Sequence, residues 1–169
     1  MYKRQVSITA DAVVGPLGEG LPIIERAVDR AIGALAAEAV GVMDKINALT
    51  LDYSKNRQQF GRAIGEFQVV QHRMTDMLME TEQARSMAQI AAMTLDRDDD
   101  ARARELAGVK ARLGKAGRFV GQESIQLHGG MGMTDEMTIG HYFKRLTMID
   151  RTFGDTDHCM RRYADTLGD

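Results

Sequence analysis

Tryptophan is absent from this 169-residue chain, cysteine occurs once, and proline occurs only at Pro16 and Pro22. The single cysteine, Cys159, excludes a disulfide framework and any paired-cysteine metal or redox motif. Without proline after Pro22, nothing of that kind interrupts a helix in the rest of the chain. No apolar run approaches the roughly 20 residues of a membrane-spanning helix. A net charge of −2 supplies no basic field for nucleic acid. The amino terminus lacks the charged-then-apolar order of a secretory signal, so the cytoplasm is the expected compartment. The four histidines, His72, His128, His141 and His158, show no spacing with carboxylates that closes a metal site, and none is expected.

What is present favours helix. Ala, Met, Leu, Glu, Arg and Gln dominate after residue 23, and 169 residues suffice to bury one core without covalent staples. Apolar residues recur at three- and four-residue steps in three long stretches. The first runs from about Leu21 to Tyr53, with Ile24, Val28, Ala31, Leu35, Val42, Ile46 and Leu49 on one face. The second runs from about Glu66 to Leu95, with Val70, Met74, Met77, Leu78, Thr81, Ala84, Ala88 and Ala91. The third runs from about Ala101 to Leu127, with Leu106, Val109, Leu113, Ala116, Val120 and Ser124, and Asp99 or Asp100 is its expected cap. Two shorter helices are expected, from Thr134-Asp-Glu136 to about Thr147 and from Asp155 to about Leu167. The twelve methionines, among them Met74, Met77, Met87 and Met93, read as core filler. Cys159 reads as a buried structural thiol. Residues 4 to 14 alternate loosely like a strand before a turn at Gly15–Gly20. The predicted fold is an all-α, up-and-down four-helix-type bundle with a short extended segment at its amino terminus.

Two segments carry more chemistry than a bundle needs. Ser124-Ile-Gln126-Leu-His128-Gly129-Gly130-Met-Gly132-Met joins two helical patterns through three glycines beside an amide and an imidazole. Such backbone approaches a ligand closely, and free N–H groups near a helix start favour an anion, so a phosphate or pyrophosphate is the first ligand to consider. Between the first two helices lies Arg57-Gln-Gln-Phe60-Gly61-Arg62-Ala-Ile-Gly65-Glu-Phe67-Gln68. Gly61 and Gly65 there read as turn residues, or the arginine fork and the aromatic ring together bind a phosphate beside a flat heterocycle.

Arg57-x-x-Phe60-Gly61, Gln68 and the distant Gln126-x-x-Gly129-Gly130-x-Gly132 together resemble the carboxyl-terminal signature of the acyl-CoA dehydrogenases. That resemblance implies three-domain flavoproteins assembled as dimers or dimers of dimers. Residues 1–20 would be the end of a preceding β-domain, with residues 21–169 forming the carboxyl-terminal bundle. It further implies that Arg57, Phe60 and Gln68 contact FAD held mostly by a neighbouring subunit. Gln126, Gly129 and Gly130 would lie along the pyrophosphate and adenosine end.

The family reaction forms an α,β double bond in an acyl-CoA thioester, with a carboxylate taking the α-proton. Phe153 stands at the position of that glutamate and Asp155 where the family has threonine. The alternative position on the first helix falls on Ala31, with Ile32 after it and Arg30 before it. The run His141–Asp150 followed by Phe153-Gly-Asp155 is similar to small subunits of heteromeric bacterial enzymes of this family, such as pimeloyl-CoA dehydrogenase small subunits. The leading expectation is a base-deficient subunit that completes the FAD site of a homologous large subunit acting on acyl-CoA. A flavin-free interaction bundle and an active homomer using Asp155 as a displaced base are the alternatives. Asp155 itself reads better as a helix cap than as a base.

Overall fold

The computed structural model describes residues 6–97 and 101–167. Its principal helices are α1 (Gly20–Asn56), α2 (Gln68–Thr94), α3 (Ala101–His128), α4 (Thr138–Arg151) and α5 (Thr156–Asp165). A hairpin of β1 (Gln58–Gln59) paired antiparallel with β2 (Arg62–Ala63) links α1 to α2. The helices form an up-and-down bundle in which α3 is central, packing against α1, α2, α4 and α5.

The core follows the expected apolar stripe on α3, but on α1 it is turned about one residue from the expected face: Ile46 is buried as expected, whereas Val28, Ala31, Leu35, Val42 and Leu49 are only half-buried and Ile24 is exposed. Ile32, Ala36, Met43 and Ile46 of α1 meet Met77, Ala84 and Ala91 of α2. Leu106, Val109, Leu113 and Val120 of α3, with Ile139, Leu146 and Ile149 of α4, complete the cluster. Each large aliphatic side chain buried in this way contributes about 1.5–3 kcal/mol. Close approach of α4 and α5 to α3 depends on small residues. A Cβ at Gly121 would overlap the Phe143 ring, and one at Gly114 would overlap the Asp150 carboxylate and the Thr156 hydroxyl.

Polar contacts fix how the helices meet. Asp29, buried on α1, accepts a 2.9 Å bond from Arg102 Nε at the start of α3. Arg145 of α4 grips Glu38 of α1 through both carboxylate oxygens, at 2.5 and 2.7 Å. Asn47 Nδ2 donates to Thr81 Oγ1 across α1 and α2 at 2.9 Å.

Several expectations change. Among the described residues before α1 there is no strand: the backbone is extended at Thr9 and Val13 around a 3₁₀ turn at Ala10–Ala12. Isolated from any pairing edge, that segment has no ladder to join. The fourth helix begins at Thr138, not Thr134, because Met137 is extended and the Thr134 hydroxyl turns back to the Met131 carbonyl. Met77 is core and Met87 packs against it, but Met93 is 77% exposed on the outer face of α2. The expected cap at Asp99 or Asp100 lies outside the described residues.

Candidate functional site

The hairpin between α1 and α2 closes on a two-residue turn, since Gln59 pairs with Arg62 and Phe60-Gly61 lie between them. Both turn residues have positive φ, 55° at Phe60 and 80° at Gly61, as a type I′ turn requires. Glycine adopts that conformation freely, whereas a bulky aromatic in it is a genuine outlier that costs of order 1–3 kcal/mol. Phe60 gains little internal packing in return: it is 91% exposed and meets Phe67 edge-on, at 6.2 Å between centroids. The Arg62 guanidinium lies 4.0 Å from the centroid of that same Phe67 ring. The result is an exposed aromatic platform held by a strained turn, with Gln68 immediately after it as the first residue of α2.

Phe60 and Gln126 are 66 positions apart in the chain, yet both line one open cavity of about 440 Å³. Ile64, Phe67, Val70 and Leu127 give it apolar walls, and Arg73 of α2 adds a cation. Arg57 ends α1 and is exposed, its backbone carbonyl accepting from Ile64 N at 2.8 Å to anchor the hairpin. Its side chain forms no ion pair with another described residue.

The glycine segment is not an open loop. Gly129–Met133 continues α3 as a 3₁₀ turn, with Gly129 at φ 60°. A Cβ at Gly130 would meet nothing within 4 Å, and the φ of Gly130 is not positive, so internal packing gives no reason for that glycine. Its side-chain-free backbone faces outward. The imidazole beside it faces inward. His128 stacks on Tyr53 at 4.3 Å, and Tyr53 Oη donates to the His128 carbonyl at 3.4 Å. The His128 Nδ1 contact of 2.8 Å is to the Ser124 carbonyl, which only accepts, so Nδ1 carries the proton and Nε2 is a buried acceptor without a partner. Burial also pushes the His128 pKa below its ordinary value. This neutral imidazole packs the end of α3 and offers nothing to an anion, so the chemistry read from its position beside the glycines reduces to backbone and Gln126.

Phe153 and Asp155 sit in the turn between α4 and α5, and neither lines the Phe60–Gln126 cavity. Asp155 is the N-cap of α5: its Oδ1 accepts from His158 N at 2.9 Å and its Oδ2 contacts Arg151 at 3.1 Å. That amide holds the Asp155 carboxyl below the usual carboxylate range. Phe153 has φ 59° and Gly154 φ 103°, the second instance of a Phe-Gly pair in the left-handed region.

The residue that sets this turn escaped the sequence reading. Lys110 of α3 is 1% exposed, and its Nζ donates to the Asp150 carbonyl at 2.7 Å and the Gly154 carbonyl at 2.8 Å. The Asp150 carboxylate accepts from the Thr156 amide and hydroxyl at 3.1 and 2.7 Å. Cys159 is buried beside them, and burial pushes its thiol pKa up, consistent with a structural thiol. Among the described residues no three or more His, Cys, Asp or Glu come together to hold a metal ion. None of the described helices is long and apolar enough to cross a membrane.

Residues 18–167 match the family described as acyl-CoA dehydrogenase, C-terminal domain. The chain belongs to the acyl-CoA dehydrogenase family. The chain is 36% identical over 134 residues to acyl-CoA dehydrogenase IpdE2 of Mycolicibacterium smegmatis, covering 79% of this chain and 41% of that relative. It superposes on PigA with FAD and proline with a TM-score of 0.83 at 32% identity, covering 92% of this chain and 40% of that one. On the glutaryl-coenzyme A dehydrogenase glutaryl-CoA complex the TM-score is 0.87 at 25% identity, covering 95% and 41%. The chain therefore spans about two fifths of the length of these relatives.

Proposed function

We propose that this bundle supplies one wall of an FAD site in a heteromeric acyl-CoA dehydrogenase, as the carboxyl-terminal part of a subunit that lacks the catalytic carboxylate. Residues 21–169 are read as the bundle domain and residues 1–20 as the lead-in from a β-domain. The observation that carries the cofactor reading is Phe60, kept in a strained turn, almost fully exposed, and lining one cavity with Gln126. With little packing inside the bundle to offset that strain, an external ligand is the reading that accounts for it.

The donor set fits a dinucleotide. Arg57 offers an unpaired planar fork suited to a phosphate, and Gly129 and Gly130 leave backbone open to close approach. Phe60 and the Gln126 amide suit a ring system, while Gln68, the first residue of α2, does not line their cavity. In PigA the cofactor named is FAD. Bound FAD would supply the hydride acceptor for α,β-desaturation of an acyl-CoA thioester.

The missing base rests on the α4–α5 turn. Phe153, at the position of the family glutamate, has no group that takes a proton. Asp155 is engaged by the His158 amide and Arg151, with its pKa moved down, away from that of an effective base near neutral pH. The carboxylate for the α-proton would then come from a homologous large subunit.

In the co-purified assembly, Arg57→Gln should weaken FAD binding by about 10- to 100-fold, the equivalent of the roughly 1.5–3 kcal/mol of a charge-assisted hydrogen bond. Flavin absorbance per protein after gel filtration measures it. Unchanged occupancy in Arg57→Gln, or a wild-type assembly free of flavin, contradicts the reading.

A further inference from the structure

The cavity shared by Phe60 and Gln126 divides the recognition task. Its walls, Phe60, Ile64, Phe67, Val70 and Leu127, are apolar, which suits the faces of a flat ring and does not suit a phosphate. Its polar lining residues are Gln59, Arg73 and Gln126. Arg73 Nη1 is held at 2.7 Å by Glu123 Oε2 across α2 and α3. That single contact fixes one corner of a planar group with five N–H donors, and no other hydrogen bond engages the rest. A guanidinium only donates, so its counterpart carries acceptor atoms, and between apolar walls a heterocycle edge supplies them where a phosphate would be poorly solvated. An amide donates and accepts, so Gln126 suits a neighbouring donor–acceptor pair on such an edge.

We propose that Arg73, oriented by Glu123, contacts the acceptor edge of the heterocycle that enters this cavity, while Arg57 and the Gly129–Gly130 backbone take the phosphates. This rests on the FAD reading above and assigns to Arg73 a role in ring recognition. Either ring of the dinucleotide has such an edge, the adenine through its ring nitrogens and the isoalloxazine through its carbonyls.

The bundle contains its own control. Arg112 and Glu80 also bridge α3 and α2, at the same 2.7 Å, and Arg112 does not line this cavity. The apo-assembly of this chain with its dehydrogenase-like partner is titrated with FAD for wild type, Arg73→Met, Arg73→Lys and Arg112→Met, and thermal unfolding is recorded for each. The expected result is a Kd raised about tenfold or more by Arg73→Met, a smaller rise for Arg73→Lys, and no change for Arg112→Met despite a comparable shift in Tm. Competition by ADP and by FMN then identifies the ring, because the competitor that occupies this cavity loses affinity in Arg73→Met.

A Kd unchanged by Arg73→Met overturns the proposal. An equal loss in Arg73→Met and Arg112→Met also overturns it, by reducing Arg73 to a structural ion pair. Loss of affinity for neither competitor in Arg73→Met does the same, since no ring then depends on Arg73. A wild-type assembly that binds no FAD at all removes the cofactor reading itself, a pattern distinct from the other three.

Discussion

Lys110→Met should lower the stability of the bundle by about 2–4 kcal/mol and release the α4–α5 turn. Methionine matches the length of the lysine stem, so the change leaves little cavity and isolates the ammonium. Its loss strands the Asp150 carbonyl, which Nζ now serves at 2.7 Å, and leaves the Gly154 carbonyl, served at 2.8 Å, only the weak Cys159 Sγ donor at 3.7 Å. A buried acceptor left without a donor costs about 1–3 kcal/mol. Part of that is returned, because a buried charge is itself expensive. Burial is the main cause that lowers the Lys110 pKa, which shows the same penalty acting on the charged form.

The second consequence is local. Phe153 and Gly154 both have positive φ, and a Cβ at Gly154 would collide with the His158 ring, so the turn depends on glycine at 154 and carries strain at Phe153. Freed from Lys110, it should open. The chain has no tryptophan, so Phe153→Trp places a single emitter in the turn. Acrylamide should quench that emitter more strongly when Lys110→Met is added, and urea unfolding should give the stability loss. A change below about 0.5 kcal/mol with unaltered quenching contradicts the role assigned to Lys110.

Asp155→Asn should leave acyl-CoA oxidation by the assembled enzyme within about twofold of wild type. Asparagine caps a helix as well as aspartate does, so α5 keeps its N-cap while the proton acceptor is removed. Replacing the carboxylate proposed for the large subunit by its amide should instead cost about 10²–10⁴ in turnover, the range of a positioned general base. Both variants should keep their FAD. Abolished turnover in Asp155→Asn with flavin content retained would restore Asp155 as a displaced base and an active homomer.

The bundle was legible because its signal is redundant. Ile46, Leu113 and Val120 each sit in stripes repeated over many turns, and an aspartate three residues before His158 is a local rule that needs no tertiary knowledge. The Phe60-Gly61 hairpin was not legible as a hairpin, because no propensity argument places phenylalanine at positive φ; only the external ligand proposed for it explains that choice. Lys110 had a readable cue. It falls four residues after Leu106, on the buried stripe of α3, but its target carbonyls lie 40 and 44 positions downstream. His128 misled in the opposite direction: its place among glycines pointed to a ligand, whereas stacking on Tyr53 turned it inward. Arg73 joins the site because it lines one cavity with Phe60 and Phe67 of the singled-out segment and with the distant Gln126, an arrangement that spacing along the chain does not encode.

The most direct test compares the gene product alone, a homologous acyl-CoA dehydrogenase large subunit of the kind proposed as its partner alone, and the two co-expressed, for bound FAD and for acyl-CoA oxidation. A base-deficient subunit that completes a shared flavin site predicts full flavin occupancy and turnover only in the co-expressed assembly. Full flavin and turnover in this protein by itself would contradict that account.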